Sequence, residues 1–207
     1  MDIINKTSVR SGDASTELIT EARKTGIVAC DIETTGLDWR HDSIQTCQVF
    51  VPDIAIEIVR IESDTPAFLQ ELLEDQRIKK VFHHAMFDLR FLYANWGTIA
   101  SNVACTKIAA KILEPKAKSH SLKPILKKRL GINISKELAK SDWTVETLEP
   151  EQIRYAANDV AFLPRLLNVL EDELRKSDRL ALAQACFQHI PTRVVLEVNG
   201  YGDVFTY

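Results

Sequence analysis

Apolar residues fall into two regimes along this chain. Leu18, Ile19 and Ala22 recur at helical spacing and Gly26 follows them, so residues 15–25 read as a helix closed by glycine. Ile27-Val28-Ala29-Cys30-Asp31-Ile32-Glu33 is nearly all apolar and reads as a buried strand that Gly36 breaks. A second strand runs from Ile44 to Val51, Pro52-Asp53 marks a turn, and a third runs from Ile54 to Ile61. Short links between the three predict an antiparallel meander. Beyond them helix and strand alternate. Pro66 to Leu73 reads as a helix opened by Asp64 or Thr65, Lys80-Val81-Phe82-His83 as a short strand, and Phe87 to Tyr93 as the start of another helix. Val103 to Leu113 and Leu122 to Leu130 read as helical, with Gly131 ending the second. Pro150 to Leu174 reads as one long helix, bent at Pro164 because the ring removes a backbone donor. The sum is an α/β fold, a mixed sheet flanked by helices.

Length and composition narrow the setting. The 207 residues suit one domain, with a core over about 15–175 and a C-terminal extension over about 176–207. Cys30, Cys47, Cys105 and Cys186 are far apart and form no zinc-type pair. The first residues carry no signal-peptide pattern, and no run approaches the roughly 20 apolar residues of a membrane span. The expected location is cytoplasmic, with no membrane partner. A net charge of −3 does not advertise a nucleic-acid binder, but its distribution is uneven. Lys107, Lys111, Lys116, Lys118, Lys123, Lys127, Lys128 and Arg129 share a stretch whose only acid is Glu114. That is a solvated helix face or, beside an active site, a phosphate-binding rim.

Three acidic sites stand out. Asp31 and Glu33 sit two apart at the end of an apolar strand, so both side chains point the same way. Two like charges there are costly unless a cation lies between them, although an isolated Asp-x-Glu is as readily a solvated strand end. Asp88 lies in His83-His84-Ala85-Met86-Phe87-Asp88-Leu89, where a strand hands over to a helix; capping alone would favour it there. Tyr155 and Asp159 are four apart on the long helix, beside the small residues Ala156, Ala157 and Ala161. Four carboxylates and a phenol suit two hard divalent cations, Mg²⁺ or Mn²⁺, about 3.5–4 Å apart and clamping a phosphate. His83 and His84 are adjacent in an extended segment and face opposite ways, so they form no two-histidine site.

The order and spacing of these sites resemble the DEDD superfamily of 3′–5′ exonucleases, in its tyrosine-bearing, ribonuclease D-like branch. Asp31-Ile32-Glu33-Thr34-Thr35-Gly36-Leu37 is similar to the first motif, His83 to Leu89 to the second, and Tyr155-Ala156-Ala157-Asn158-Asp159 to the third. Ser121-Leu122, Lys136 and Ser141-Asp142-Trp143 resemble the connecting signature, and the match spans about residues 26 to 175. The resemblance implies a ribonuclease H-like sheet, an antiparallel meander followed by parallel strands. It implies that Asp31, Glu33 and Asp159 hold one metal, that Asp31 bridges to a second assisted by Asp88, and that Tyr155 orients the attacking water. It further implies that Thr34 and Leu37 meet the terminal nucleotide.

His84 stands where proofreading relatives carry Asn, and it is a candidate substrate contact together with Lys123 and Lys127 on the basic stretch. The chain ends about 30 residues beyond the match, which suggests a short stand-alone form acting on single-stranded or 3′-overhanging ends. The expected activity is a metal-dependent 3′–5′ exoribonuclease that releases nucleoside 5′-monophosphates. The alternatives are a DNA exonuclease of the Werner or proofreading type, a catalytically inactive nucleic-acid-binding module, and a hydrolase of small phosphoesters. The sequence leaves oligomeric state open.

Overall fold

Strand β2 (Ile27–Thr34) is where the sheet changes direction: it runs antiparallel to β3 (Ile44–Val51) and parallel to β5 (Lys79–Phe82). The computed structural model describes residues 3–62, 65–134 and 141–206. With β1 (Thr7–Ser11), β4 (Ala55–Arg60) and β6 (Val103–Cys105), the order across the sheet is β1-β4-β3-β2-β5-β6. The β2-β3-β4 meander expected from the sequence is present, and β5 and β6 add parallel strands. Val28, Val49, Val51, Ile58, Val81 and Phe82 are fully buried in this sheet. Each contributes about 1.5–3 kcal/mol by leaving water.

The helices are α1 (Thr16–Thr25), α2 (Ala67–Glu74), α3 (Ala85–Trp96), α4 (Thr106–Leu113), α5 (Leu122–Leu130), α6 (Pro150–Ala161), α7 (Leu163–Lys176) and α8 (Leu180–Val198). Helix α1 begins where the Ser15 hydroxyl accepts the Leu18 N–H at 3.0 Å, and it ends at Gly26, whose φ of 68° favours a residue without Cβ.

The structure departs from the sequence expectations at four places. Val103–Cys105 is a strand rather than the first turn of a helix. All three residues are buried, and a short buried strand cannot be told from a helical segment by its apolar run alone. Strand β1 lies on the sheet edge, mostly exposed, and so carries little apolar signal. Helix α2 is not opened by Thr65: the Asp13 carboxylate, from the β1–α1 connection, accepts the Phe68 and Leu69 N–H groups at 2.7 and 3.0 Å. Asp64 lies outside the described residues. The long helix is two helices, α6 and α7, separated at Phe162, because Pro164 fits the first turn of a new helix better than the middle of an old one. The break lets α6 cross β2, β3 and β4 while α7 goes on over β2 and β5.

Helix α8 buries Ala183, Phe187, Ile190 and Val194 and packs on α3, α4, α7 and β6. The C-terminal extension therefore covers the β6 side of the sheet. None of the helices in the described residues is long and apolar enough to cross a membrane.

Candidate active site

Three elements bring the acidic residues together. Asp31 and Glu33 end β2, opposite Gln48 and Thr46 of β3, and the register shifts just beyond Glu33. Asp88 lies in the first turn of α3. Tyr155 and Asp159 lie on α6, where the buried small residues Ala156 and Ala157 let the helix approach the sheet. Asp31, Glu33 and Asp159 each offer a carboxylate oxygen, and these oxygens all lie within 4.8 Å of one another. Asp88 is buried behind them, and one of its oxygens accepts the Ile32 N–H at 3.2 Å.

Electrostatics mark the cluster as crowded with like charge. Burial, then Asp159 and Asp88, pushes Glu33 up to about 9. Asp31 is raised well above the carboxylate range by burial, then by Asp88, Asp159 and Glu33. Asp88 is pushed up to about 7, mainly by burial, against hydrogen bonds from its own backbone and from Ile32. Like charges held this close favour either protons or a cation. The Tyr155 phenol hydrogen-bonds to Asp159 and is raised far above its usual value by burial and the neighbouring carboxylates, so it remains protonated. Its ring packs on Trp143 with centroids 6.1 Å apart.

The donor set fits hard divalent cations. The converging groups are carboxylates. His83 is otherwise engaged: Nδ1 meets the Thr106 hydroxyl at 2.9 Å, and Nε2 donates to the His120 carbonyl at 3.1 Å. The Cys30 thiol is raised far above its usual value by burial, which makes it inert as a soft ligand.

An open cleft leads to the cluster, lined by Asp31, His83, His84, Lys107, Ser121, Leu122, Ile134, Tyr155 and Asp159. His84 occupies the N-cap position of α3 without a side-chain capping bond, its ring stacked on Phe87, 6.2 Å between centroids. Burial, helped by Lys107, Arg90 and Lys111, lowers its pKa to about 4, so the ring is neutral at neutral pH. Leu37 is 83% exposed on the loop after β2. That loop is built: Asp42 accepts from the Asp38 N–H at 2.8 Å and the Thr35 hydroxyl at 3.1 Å. A Cβ on Gly36 would collide with the Asp42 carboxylate, so a larger residue there would have to push Asp42 out of these bonds. Thr34 closes the same turn through its hydroxyl, which donates to the Gly36 carbonyl.

The basic stretch divides in two. Lys128 and Arg129 bind Glu114 at 2.7 and 2.6 Å, and Arg129 also binds Glu173 at 2.9 Å. These two cations are paired within the fold. Lys123 and Lys127 are exposed on α5, outside the cleft lining, whereas Lys107 lines it. Sequence reasoning marks Lys107 only as one of eight cations; its place at the start of α4, just after the strand beside β5, is the signal that singles it out. Trp143 is buried against Tyr155, while Lys136 of the same signature lies outside the described residues.

Comparison with known proteins agrees with this geometry. A family model described as 3′–5′ exonuclease matches residues 7–175. DNA polymerase I of Aquifex aeolicus is 33% identical over 72% of this chain and 24% of its own length. Ribonuclease D of Pseudomonas paraeruginosa is 33% identical over 55% of this chain and 30% of its own. The chain thus spans about a quarter to a third of the length of these relatives. NrnC of Brucella melitensis superposes with a TM-score of 0.91 at 35% identity, covering 98% of this chain and 99% of that one, and it has also been solved with bound Mg²⁺. The ribonuclease H-like sheet, the three acidic motifs on their expected elements and the match across residues 7–175 agree: the chain belongs to the 3′–5′ exonuclease family.

Proposed function

We propose that this chain is a metal-dependent 3′–5′ exoribonuclease, a single exonuclease domain over residues 1–207 that shortens RNA from its 3′ end and releases nucleoside 5′-monophosphates. The observation that carries the reading is the convergence of the Asp31, Glu33 and Asp159 carboxylate oxygens within 4.8 Å, with Asp88 and Tyr155 beside them. Two divalent cations, Mg²⁺ or Mn²⁺, would acidify a water and offset charge building on the phosphate. Asp31, Glu33 and Asp159 would hold one ion, and Asp31 with Asp88 would hold a second. The protonated Tyr155 phenol hydrogen-bonds the water and holds it in line with the scissile bond. Water oxygen joins phosphorus, the bond to the 3′ oxygen breaks, and the shortened strand keeps its 3′ hydroxyl.

Thr34 and Leu37 meet the terminal nucleotide, Leu37 as an apolar wedge against a base. The neutral His84 ring offers a hydrogen bond to sugar or phosphate, and Lys107, Lys123 and Lys127 attract the backbone. A single strand or a 3′ overhang can thread to the carboxylates, whereas a duplex end must fray first. Buried thiols at Cys30, Cys47 and Cys105 suit a reducing, cytoplasmic setting.

RNA is favoured over DNA by the likeness to ribonuclease D and to NrnC, solved bound to pGG. The DNA reading keeps one support, the equal identity to a DNA polymerase I. Matched end-labelled RNA and DNA, run on a sequencing gel with and without EDTA, test both. A one-nucleotide ladder from the 3′ end of RNA, lost in EDTA, is expected. Faster DNA trimming would replace the substrate, and undiminished cleavage in EDTA would remove the metal.

A further inference from the structure

Beside Asp31 lies a buried amide to which the proposed reaction gives no part. Gln48 on β3 is the direct cross-strand partner of Asp31, and Thr46, two residues earlier, is the partner of Glu33. Opposed residues of an antiparallel pair share a face, with Cβ atoms about 4.5–5.5 Å apart. Gln48 and Thr46 are therefore a polar row laid alongside the two carboxylates. Both are fully buried, and α6 crosses the same strands above them. Full burial of these two polar side chains is expensive, and it is incompletely satisfied. Gln48 Nε2 donates to the Thr46 hydroxyl at 2.7 Å, while Gln48 Oε1 has no partner among the described residues.

The orphaned oxygen has a simple remedy. Oxygen and nitrogen of a glutamine amide occupy nearly equivalent positions, and the hydrogen-bond network decides which is which. Turned over, the amide leaves every heavy-atom position unchanged. The Thr46 hydroxyl then donates to Oε1, and an N–H takes the orphan's direction. Directly across the ladder, on the same face, stands Asp31, whose carboxylate is crowded by three other acids.

We propose that Gln48, held by Thr46, is a positioning residue for the metal site: its amide N–H binds one oxygen of Asp31 and fixes the carboxylate so that its other oxygen faces the cleft. Carboxylates that ligate metals are themselves hydrogen-bonded, and losing such a partner typically costs about 10–100-fold in metal affinity or activity. Thr46 acts one step further out by setting the amide's orientation.

The inference rests on Asp31 being a metal ligand, and the test separates the two ideas. Mn²⁺ is titrated into wild-type protein, Gln48→Met, Thr46→Val and the double variant, with binding followed by calorimetry and by the rise in Tm. Gln48→Met keeps size and removes the donor. It is expected to weaken Mn²⁺ binding about 10–100-fold, raise the Mn²⁺ needed for half-maximal cleavage in step, and leave the metal-free Tm unchanged or higher. Thr46→Val should weaken binding less, and the double variant should be no worse than Gln48→Met. Wild-type affinity in Gln48→Met, with or without a gain in metal-free Tm, would overturn the role of Gln48. A wild-type protein that binds no Mn²⁺ would instead overturn the metal site on which it rests. If Gln48→Met lowers the metal-free Tm, Thr46→Val decides the matter: unchanged Mn²⁺ affinity there would also overturn the proposal.

Discussion

Glu114 and Glu173 sit among cations, whereas Asp31, Glu33, Asp88 and Asp159 sit among one another. Glu114 is held by Lys128 and Arg129, and their hydrogen bonds pull its pKa down to about 2. The other four are crowded by like charges, and Glu33 rises to about 9. Both groups gather acidic side chains from elements distant in the chain. In the first, cations win and the carboxylate is held charged; in the second, Lys107 acts on Asp88, yet burial and like charges still raise Glu33 and Asp88. Carboxylates perturbed upward in a cleft mark function.

Changes at the acidic cluster should have the largest effects. Asp31→Ala should cut cleavage about a thousandfold or more, several kcal/mol of charge stabilisation, yet leave the metal-free Tm equal or higher because it relieves repulsion. Steady-state cleavage of labelled RNA and a melting curve in EDTA check both halves, and near-wild-type turnover would refute the assignment. Tyr155→Phe should slow cleavage about a hundredfold through a misplaced water, with Mn²⁺ affinity nearly intact by calorimetry. Loss of metal binding there would contradict the role given to the phenol.

The two groups should answer pH with opposite signs. Glu33 and Asp88 carry pKa values raised in the fold, to about 9 and about 7. The folded protein therefore holds more protons than the unfolded chain, whose carboxylates titrate near about 4. Metal-free stability should fall as pH rises from about 4 through about 9. Glu114 has a depressed pKa, so its contribution is present above about 4 and is lost as pH falls through about 2. Melting curves across pH in EDTA, for wild type, Glu33→Gln and Glu114→Gln, separate the two. Glu33→Gln should flatten the alkaline limb. Glu114→Gln should cost about 1 kcal/mol or less, since the Glu114 side chain is 34% exposed, with cleavage unchanged. The smallest effect is expected of Lys123→Ala with Lys127→Ala: a few-fold weaker RNA binding with a shallower salt dependence. An unchanged salt slope would remove both lysines from the substrate path.

Much of this contrast is legible in the sequence. Asp31 and Glu33 are visible because carboxylates interrupt an apolar strand, and Tyr155 and Asp159 because a four-residue step on a helix puts them on one face. The meander is visible because β3 and β4 are long and rich in branched residues. The rest is hidden for physical reasons. Strand β6 is three residues long and fully buried, so it has no periodicity. Asp13 caps a helix that begins more than 50 residues later, a contact no local pattern encodes. The pairing of Lys128 and Arg129 with Glu114 depends on the chain folding back between α4 and α5, so the basic stretch looks uniform in one dimension. Thr46 and Gln48 stand in plain view at alternate positions of β3, but only the register with β2 gives them a partner.

Calorimetric titration of Mn²⁺ into the metal-free protein tests the central claim most directly. Wild type should bind about two ions per chain, releasing protons from the crowded carboxylates as it does so, and Asp31→Ala should lose most of that binding. Equal Mn²⁺ binding by wild type and Asp31→Ala, or none by either, would contradict the claim.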